Sequence, residues 1–286
     1  MIDLELFSHA FVQRALIAAV LISIAAGIVG ALVVVNRLVF MTGGIAHTAY
    51  GGVGTAIYAG WPVLPVTGVF TALAALLLGI LSLRRHERTD TLIGIIWAGG
   101  MAFGLIMVDL SPGYQAGMMT YLFGSILAVS SQDLWIMAII DLAIVAAAVY
   151  FYRDILSMSF DPVFARTRGI PVTSLYLMLL ILVAETVVIM IQVVGLLLVI
   201  ALLTLPPYLA QHFTRTLGGM MLASGLFALL FSLSGLWVSY HFDIGSGPAI
   251  IATATVIYLL IAGSSAAIRR VKRTPDAHQS SPSQSP

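Results

Sequence analysis

Four side chains in apolar stretches of this sequence could bind a divalent metal ion, in decreasing order of promise His47, Glu185, Asp141 and His241. Imidazole is the commonest side-chain ligand of metals in proteins, and carboxylates bind zinc, manganese and iron alike. His47 lies in FMTGGIAHTAYGGVGTAIYAG and Glu185 in LVAETVVIMIQVVG. An acid at the centre of a membrane helix costs about 2.5 to 3.5 kcal/mol on insertion scales. The pattern therefore predicts transient ligands or gates on an ion pathway.

Each of these residues also has a structural explanation. His47 could be a packed histidine that is hydrogen-bonded to a neighbouring helix. Glu185 could be a protonated acid bonded to a neighbour, or a residue closer to the interface. Asp141 resembles Glu185 in its placement, whereas His241 lies near a helix end, where a solvated side chain is the default.

Composition predicts what surrounds these side chains. Of 286 residues, 60% are hydrophobic and only 9% are charged, and the mean hydropathy is +1.06. A soluble domain carries about a quarter of its residues as charged types, so most of this chain must face lipid or other helices. Because backbone polar groups inside a bilayer must be paired within their own segment, long apolar runs predict helices. The predicted fold is all-α, a polytopic transmembrane helical bundle.

Nine apolar stretches approach the length of a membrane crossing, which is about 20 residues, and eight crossings is the alternative count. The nine stretches are 11–35, 44–60, 63–83, 91–110, 134–152, 172–191, 193–210, 218–240 and 248–263. The further apolar stretch 114–129 is short, and we interpret it as a partial or re-entrant element.

The distribution of positive charge predicts the orientation. Every Lys and Arg except Arg14 lies at an end that the alternation of nine helices places on one side. Since basic residues concentrate in cytoplasmic loops, the amino terminus is expected outside and the carboxyl terminus in the cytoplasm. The chain is thus predicted to be a multi-pass protein of the cell (inner) membrane. Residues 1–268 form the predicted transmembrane domain, and 269–286 a basic and then disordered cytoplasmic tail.

Several enzyme classes are excluded by the residue types. Cysteine is absent, which removes thiol catalysis and thiolate metal sites. Lys272 is the only lysine and is not part of a GxxxxGK[ST] loop, so the chain cannot hydrolyse ATP by itself. Neither an HExxH nor a GxSxG motif is present. The chain is therefore predicted not to be an enzyme, which leaves transport, conduction or scaffolding.

Small residues repeat every four positions around His47. Without a hydrophobic drive between helices in lipid, small faces allow close backbone contact, so this helix is expected inside the bundle with His47 pointing into the interior. Residues four apart lie above one another on a helix, and two neighbouring rows of this kind are formed by Gly44, Thr48, Gly52, Ala56, Gly60 and by Gly43, His47, Gly51, Thr55, Ala59.

The loop 160–171 has the signals of a short capped helix. Asp161 can cap its amino terminus, with Pro162 in the first turn, and Gly169 can end it, with Pro171 just beyond. A capped connector explains these residues but does not explain an apolar Phe164 in a cytoplasmic loop.

Several blocks, in order, resemble one family over most of the chain, from Arg37 to about Ile261. They are NRLVFMTGGIAHTAYGGVG, TDTLIGIIWAGGMAFGLI, YLFGSILAVSSQDL, FDPVFARTRGIP leading to QVVGLLLVIALLTLPPYLA, and DIGSGPAII. The sequence is similar to the integral membrane permease subunits of zinc, manganese and iron ABC importers. One departure is that the family usually has an aspartate four residues before the histidine, where this chain has Gly43. The site would then need a carboxylate from another helix, for which Glu185 is the candidate.

The resemblance implies a set of partners. Two copies of the chain would line the pathway within membrane lipid, bind cytosolic ABC ATPases and receive the metal from an extracytoplasmic binding protein. No nucleic acid and no permanently bound cofactor is implied, and the metal ion is the transported substrate, with zinc slightly favoured over manganese and iron. In this family the loop 160–171 forms a coupling helix on the ATPase. The residues expected to serve it are Asp161, Phe164, Ala165, Arg166 and Gly169.

A secondary transporter is the alternative function. Glu185 or Asp141 would then carry a proton or couple to an ion gradient, and no ATPase would be needed. A scaffold without transport would leave the small-residue face and His47 unexplained.

Overall fold

The chain folds into a bundle of α-helices. The computed structural model describes residues 9–84, 88–111, 122–196 and 199–271, with side chains to residue 261. Within these ranges there are eleven α-helices and no strand, which confirms the all-α prediction. The helices are α1 Ala10–Val35, α2 Val39–Ala59, α3 Val63–Arg84, α4 Thr89–Asp109, α5 Ser131–Tyr150, α6 Tyr152–Phe160, α7 Pro162–Thr167, α8 Val172–Val194, α9 Val199–Ala210, α10 Leu217–Phe242 and α11 Ser246–Val271.

Six of the described helices are long and apolar enough to cross a membrane: α1, α3, α4, α5, α8 and α10. The helix α2 has the length but not the hydropathy, because glycine, threonine and histidine dilute its apolar residues. The helix α9 is shorter, and α11 has described side chains only over Ser246–Ile261. The nine predicted stretches correspond to α1 to α5 and α8 to α11, so a polytopic bundle is present, and the count of nine crossings stays a prediction.

The core of the bundle lies around α1 and α8, the two most buried of these six helices. The helix α1 packs on α10, α9, α5 and α8, while α8 also packs on α3 and α2. In contrast, α4 and α5 expose most of their surface, including apolar side chains such as Phe103 and Leu142. Lipid accepts such a surface as readily as a protein interior does, so the exposed faces fit a membrane-embedded bundle.

Several helix ends differ from the sequence prediction. The break predicted at 192 lies further on, because α8 continues to Val194 and α9 begins only at Val199. The helix α2 begins at Val39, ahead of the predicted start at Gly44, and α11 continues to Val271, past the predicted end at Gly263. Pro206 and Pro207 lie inside α9, which passes through both. Membrane helices tolerate internal proline where neighbouring helices accommodate the freed carbonyl groups. The carbonyl of Leu203, which loses its usual donor at Pro207, lies against Gly30 of α1.

The helical path breaks between α8 and α9 at Gly195, whose φ is +87°. The described part of the stretch 114–129 packs on this break and contains one 3-10 turn, Ile126–Ala128. The Ser125 N–H donates to the Gln192 carbonyl (3.1 Å), and the Ile126 N–H donates to the Ser246 hydroxyl (3.1 Å). Residues 112–121 lie outside the described part of the chain, so the re-entrant character of this stretch stays a prediction.

The helix ends fall into two groups on opposite sides of the bundle. We call the side that carries Arg37, Arg84, Arg153, Arg166 and Arg215 the basic side. Hydrogen bonds join its elements: Asn36 donates to Ser159, and the Gly218 N–H donates to the Tyr152 hydroxyl. Exposed aromatic residues mark both sides, as expected at membrane interfaces. They are Tyr150, Phe160 and Phe213 on the basic side, and Tyr58, Trp61, Trp135, Trp237 and Tyr240 on the other.

Candidate functional site

The helix α2 carries the first candidate residue and is enclosed by α3, α4, α8 and α9. Its glycines lie in close contact with neighbouring helices. A β-carbon on Gly52 would lie 2.7 Å from the Cα of Thr67 in α3, and one on Gly44 would lie 2.6 Å from Ile93 in α4. Further along, Gly54 and Gly104 bring the backbones of α2 and α4 into contact. The predicted burial of a small-residue face is confirmed.

His47 lies in this closely packed region with only 7% of its surface exposed. Its ring stacks on the indole of Trp97 in α4, with centroids 4.1 Å apart and planes 10° from parallel. Neither ring nitrogen has a hydrogen-bond partner among the described residues, and Nδ1 is fully buried. A buried polar atom without a partner costs about 1 to 3 kcal/mol, so its presence needs an explanation. Stacking on Trp97 therefore holds the imidazole in place, and its nitrogens make no hydrogen bond within the described residues.

Gly43, which stands where the resembled family usually has an aspartate, borders a cavity. Gly43 lies one turn before His47, and a β-carbon there would lie 3.1 Å from Ile200 and 3.8 Å from Trp97. The cavity has a volume of about 520 Å³, and Phe40 and Arg37 line it towards the basic side. An open space therefore reaches from the basic side to within one turn of His47.

Glu185, the acid expected to supply a carboxylate near His47, is half-buried in α8 and faces α3. Its two oxygens lie 3.1 and 3.6 Å from the place of a β-carbon on Gly68. The neighbouring Thr67, whose hydroxyl is buried without a partner, packs on Gly52 of α2. Gly52 follows His47 by five residues, or about 7.5 Å of helix rise. In the described part of the chain, Glu185 makes no ion pair or hydrogen bond with His47.

The structure keeps the other two candidates away from α2. Asp141 is only 4% exposed, and neither carboxyl oxygen has a hydrogen-bond partner among the described residues; its helix α5 packs mainly on α1. His241 is exposed at the end of α10, where it stacks on Trp237 at 5.2 Å. The described residues contain no group of three His, Cys, Asp or Glu side chains that could hold a metal. The ligand set near His47 is therefore sparse within one chain.

The predicted short helix in the loop 160–171 is present as α7. The Asp161 carboxylate accepts hydrogen bonds from the N–H groups of Val163 (3.1 Å) and Phe164 (2.9 Å). Gly169, with φ of +78°, follows the end of the helix. The capping prediction is confirmed in its atomic detail.

The outer face of α7 is apolar and exposed. Phe164 is 52% exposed, Val163 is 70% exposed, and the Arg168 guanidinium lies 5.2 Å from the centre of the Phe164 ring. Arg166 is also exposed, whereas Ala165 is fully buried, so its side chain faces the core and not the exterior. The exposed apolar face therefore contains Val163 and Phe164, and the sequence interpretation was wrong to place Ala165 on it.

Sequence reasoning missed Trp97 and Val163. Trp97 is the only tryptophan in TDTLIGIIWAGGMAFGLI, which is a signal, but its pairing with His47 depends on how α2 and α4 align. Val163 could have been found from helical spacing once Ala165 was assigned to the inner face.

Comparisons with known proteins agree with this geometry. Residues 8–264 match the model of the ABC 3 transport family. The chain is 44% identical over 257 residues to an uncharacterized membrane protein of Synechocystis sp., covering 90% of this chain and 91% of that protein. It is 32% identical over 259 residues to the manganese transport system membrane protein MntC of Halalkalibacterium halodurans, covering 90% and 88%. Among solved structures, PsaBC from Streptococcus pneumoniae in complex with Fab aligns with a TM-score of 0.81 and 30% identity, over 89% of this chain and 92% of that chain.

Proposed function

Because this chain belongs to the ABC 3 transport family, we propose that two copies of it form the membrane pathway of an importer for a divalent transition metal, powered by a separate cytosolic ABC ATPase. The chain is a membrane-embedded permease subunit and not itself an enzyme, like the transport components it matches. The observation that carries the proposal is His47, a buried imidazole without a hydrogen-bond partner on a closely packed helix.

A sparse ligand set suits a pathway. An ion must be bound well enough to enter and weakly enough to leave. One imidazole, with a carboxylate on a neighbouring helix, provides such a site, and Glu185 is the carboxylate we assign to it. A rigid-body shift of α8 along α2 in the transport cycle would bring Glu185 closer to the level of His47.

We assign manganese as the first candidate for the ion. The relative from Halalkalibacterium halodurans and one from Streptococcus parasanguinis are named for manganese. Sequence reasoning alone slightly favoured zinc, because the motif has a histidine and lacks the aspartate at Gly43. A carboxylate from Glu185 would make the site suitable for manganese or iron as well, since these ions accept oxygen ligands.

The two sides of the bundle are assigned from charge. With the basic side in the cytoplasm, α7 faces the ATPase, and its exposed Val163 and Phe164 form the docking surface. The opposite side receives the ion from an extracytoplasmic metal-binding protein. Asp161 and Gly169 act indirectly, because they fix the two ends of α7, and Arg166 adds a positive charge beside the apolar contact.

Reconstituted transport tests the function. Liposomes that contain the permease and its ATPase, with ATP enclosed in the lumen and the metal-binding protein added outside, should take up radioactive manganese. Uptake should stop without ATP or without the ATPase. Zinc and iron, added in excess, test selectivity by competition. Full uptake driven by a proton gradient without the ATPase would contradict the proposal and favour a secondary transporter, for which the buried and unpartnered Asp141 is the candidate proton carrier.

Replacing Phe164 by alanine should weaken binding of the ATPase by about tenfold or more, because aromatic anchors dominate such interfaces. Co-purification or surface binding of the ATPase measures the effect. Phe213→Ala is the matched control, since Phe213 is comparably exposed on the basic side but lies outside α7. Equal ATPase binding by the two variants would contradict the docking role of α7.

A further inference from the structure

A groove separate from the candidate metal site runs between α1, α5 and α10. Its volume is about 680 Å³, and its walls are almost entirely apolar, including Ile24, Ala148 and Leu226. Val149 and Leu222, which also line it, are largely exposed. The groove therefore opens outwards, to the lipid around the bundle.

Small residues make this groove deep. A β-carbon on Gly27 would lie 2.7 Å from the Cα of Gly225, so the backbones of α1 and α10 meet beneath it. Gly225 and Ser23 also line the groove, and the Ser23 hydroxyl is turned back to the Ala19 carbonyl (2.6 Å) of its own helix. Because the Ser23 hydroxyl is already hydrogen-bonded within α1, it leaves no unpaired donor on the floor of the groove, and an alkyl chain can pack there.

One end of the groove is different in character. Tyr152 and Gly218 line it at the basic side, and the Gly218 N–H donates to the Tyr152 hydroxyl (3.0 Å). The hydroxyl acts there as an acceptor, and its own proton can still be donated to a further group. This end therefore has a hydrogen-bond donor available.

Positive charge flanks the same end. Arg153 directly follows Tyr152, and Arg215 shortly precedes Gly218; both are exposed. Asp154 directly follows Arg153, so two arginines and one acid leave a net positive charge at this end. The helix α6, which begins at Tyr152, buries Ile155 and Met158 and exposes Arg153. This amphipathic pattern is typical of a helix at the membrane surface, so the basic end of the groove lies at headgroup level.

We propose that this groove binds an anionic glycerophospholipid, with an acyl chain along α1, α5 and α10. The lipid phosphate accepts hydrogen bonds from the Tyr152 hydroxyl and from the guanidinium groups of Arg153 and Arg215. A lipid fits better than a transmembrane helix of a partner, because the groove combines an apolar length with donors and positive charge at one end only. This polarity is that of an amphiphile with an anionic head.

Lipid binding by the purified full-length chain tests this proposal without a transport assay. Phosphatidylglycerol and phosphatidylcholine with identical acyl chains are added to delipidated protein, and bound lipid is counted by native mass spectrometry. Phosphatidylglycerol should be retained preferentially. In the double variant Arg153→Gln, Arg215→Gln its affinity should fall by about thirtyfold, since each basic residue near an anionic lipid accounts for about a fivefold change.

Two further variants separate the possible outcomes. Arg84→Gln, Arg88→Gln removes two exposed arginines elsewhere on the basic side and should leave the preference unchanged. Val149→Trp narrows the groove mouth and should reduce binding of both lipids. Equal retention of the two lipids by the unaltered protein, or equal loss in both arginine pairs, would overturn the proposal. Cross-links between Val149→Cys and Leu222→Cys of two copies, unaffected by added phosphatidylglycerol, would overturn it in favour of a second chain as occupant.

Discussion

Replacing His47 by alanine is expected to reduce metal uptake by at least about tenfold, with normal amounts of protein in the membrane. Even removal of a group that only orients a metal ligand lowers affinity by about 10 to 100-fold, and His47 is the imidazole that the structure buries with its nitrogens unused. The fold should survive, because alanine favours the helix and the loss of stacking on Trp97 removes only about 0.5 to 1.5 kcal/mol beyond burial.

An exposed histidine is the control for His47. His212→Ala alters an exposed histidine whose ring bonds only to the Tyr208 carbonyl of its own segment (2.9 Å), and it should transport normally. Initial rates of radioactive manganese uptake, divided by the amount of permease in the vesicles, give the comparison. Wild-type uptake by His47→Ala would show that His47 is not part of the pathway. The family membership of the chain does not depend on this result.

Local features of this fold were predictable from sequence, whereas pairings between helices were not. The cap of α7 depends on Asp161, Pro162 and Gly169, which are neighbours along the chain, and its prediction is correct. The burial of α2 was also predictable, because its small residues recur every four positions. The identity of the partner at each position requires the alignment of two helices, which composition does not specify.

The candidate site shows the same limit. His47 and Glu185 were recognisable as costly groups in apolar segments. That the ring of His47 stacks on Trp97 while Glu185 faces Gly68 depends on the rotation of α4, α8 and α3 about their axes. The sequence was sufficient to identify Asp141 as an acid in an apolar segment, but it did not identify the neighbours of Asp141. Its helix packs mainly on α1, away from α2.

In the proposed importer, the contacts of α7 determine how its movement reaches the ion pathway. Ala165 is buried, and the Ile170 N–H donates to its carbonyl (3.1 Å), which ties α7 to the start of α8. The helix α8 in turn packs on α2 and α3 and carries Glu185. A cavity of about 460 Å³, lined by Arg37 and Arg166, lies between α7 and the start of α2. Movement would therefore be passed to α2 through α8, because the cavity interrupts the direct route.

Replacing Gly104 by valine is expected to prevent normal assembly of the bundle. A β-carbon at Gly104 would collide with the Tyr50 carbonyl group and would lie 2.9 Å from the backbone nitrogen of Gly51. These are backbone atoms and cannot move aside as a flexible side chain can, so α4 would have to separate from α2. Overpacking of a well-packed core costs about 1 to 3 kcal/mol and occasionally more, and we expect a value at or above the top of that range.

Gly99→Val on the same helix is the matched control for Gly104→Val. A β-carbon at Gly99 meets nothing within 4 Å, and valine replaces glycine at a helical position in both variants, so any difference in propensity cancels. The yield of monodisperse protein in size-exclusion chromatography and the midpoint of thermal unfolding provide the measurement. Gly99→Val should match the unaltered protein, whereas Gly104→Val should yield little folded material. Equal stability of the two variants would show that α2 and α4 do not meet at Gly104, and the stacking of Trp97 on His47 would then lose its support as well, because the same helix pair positions both.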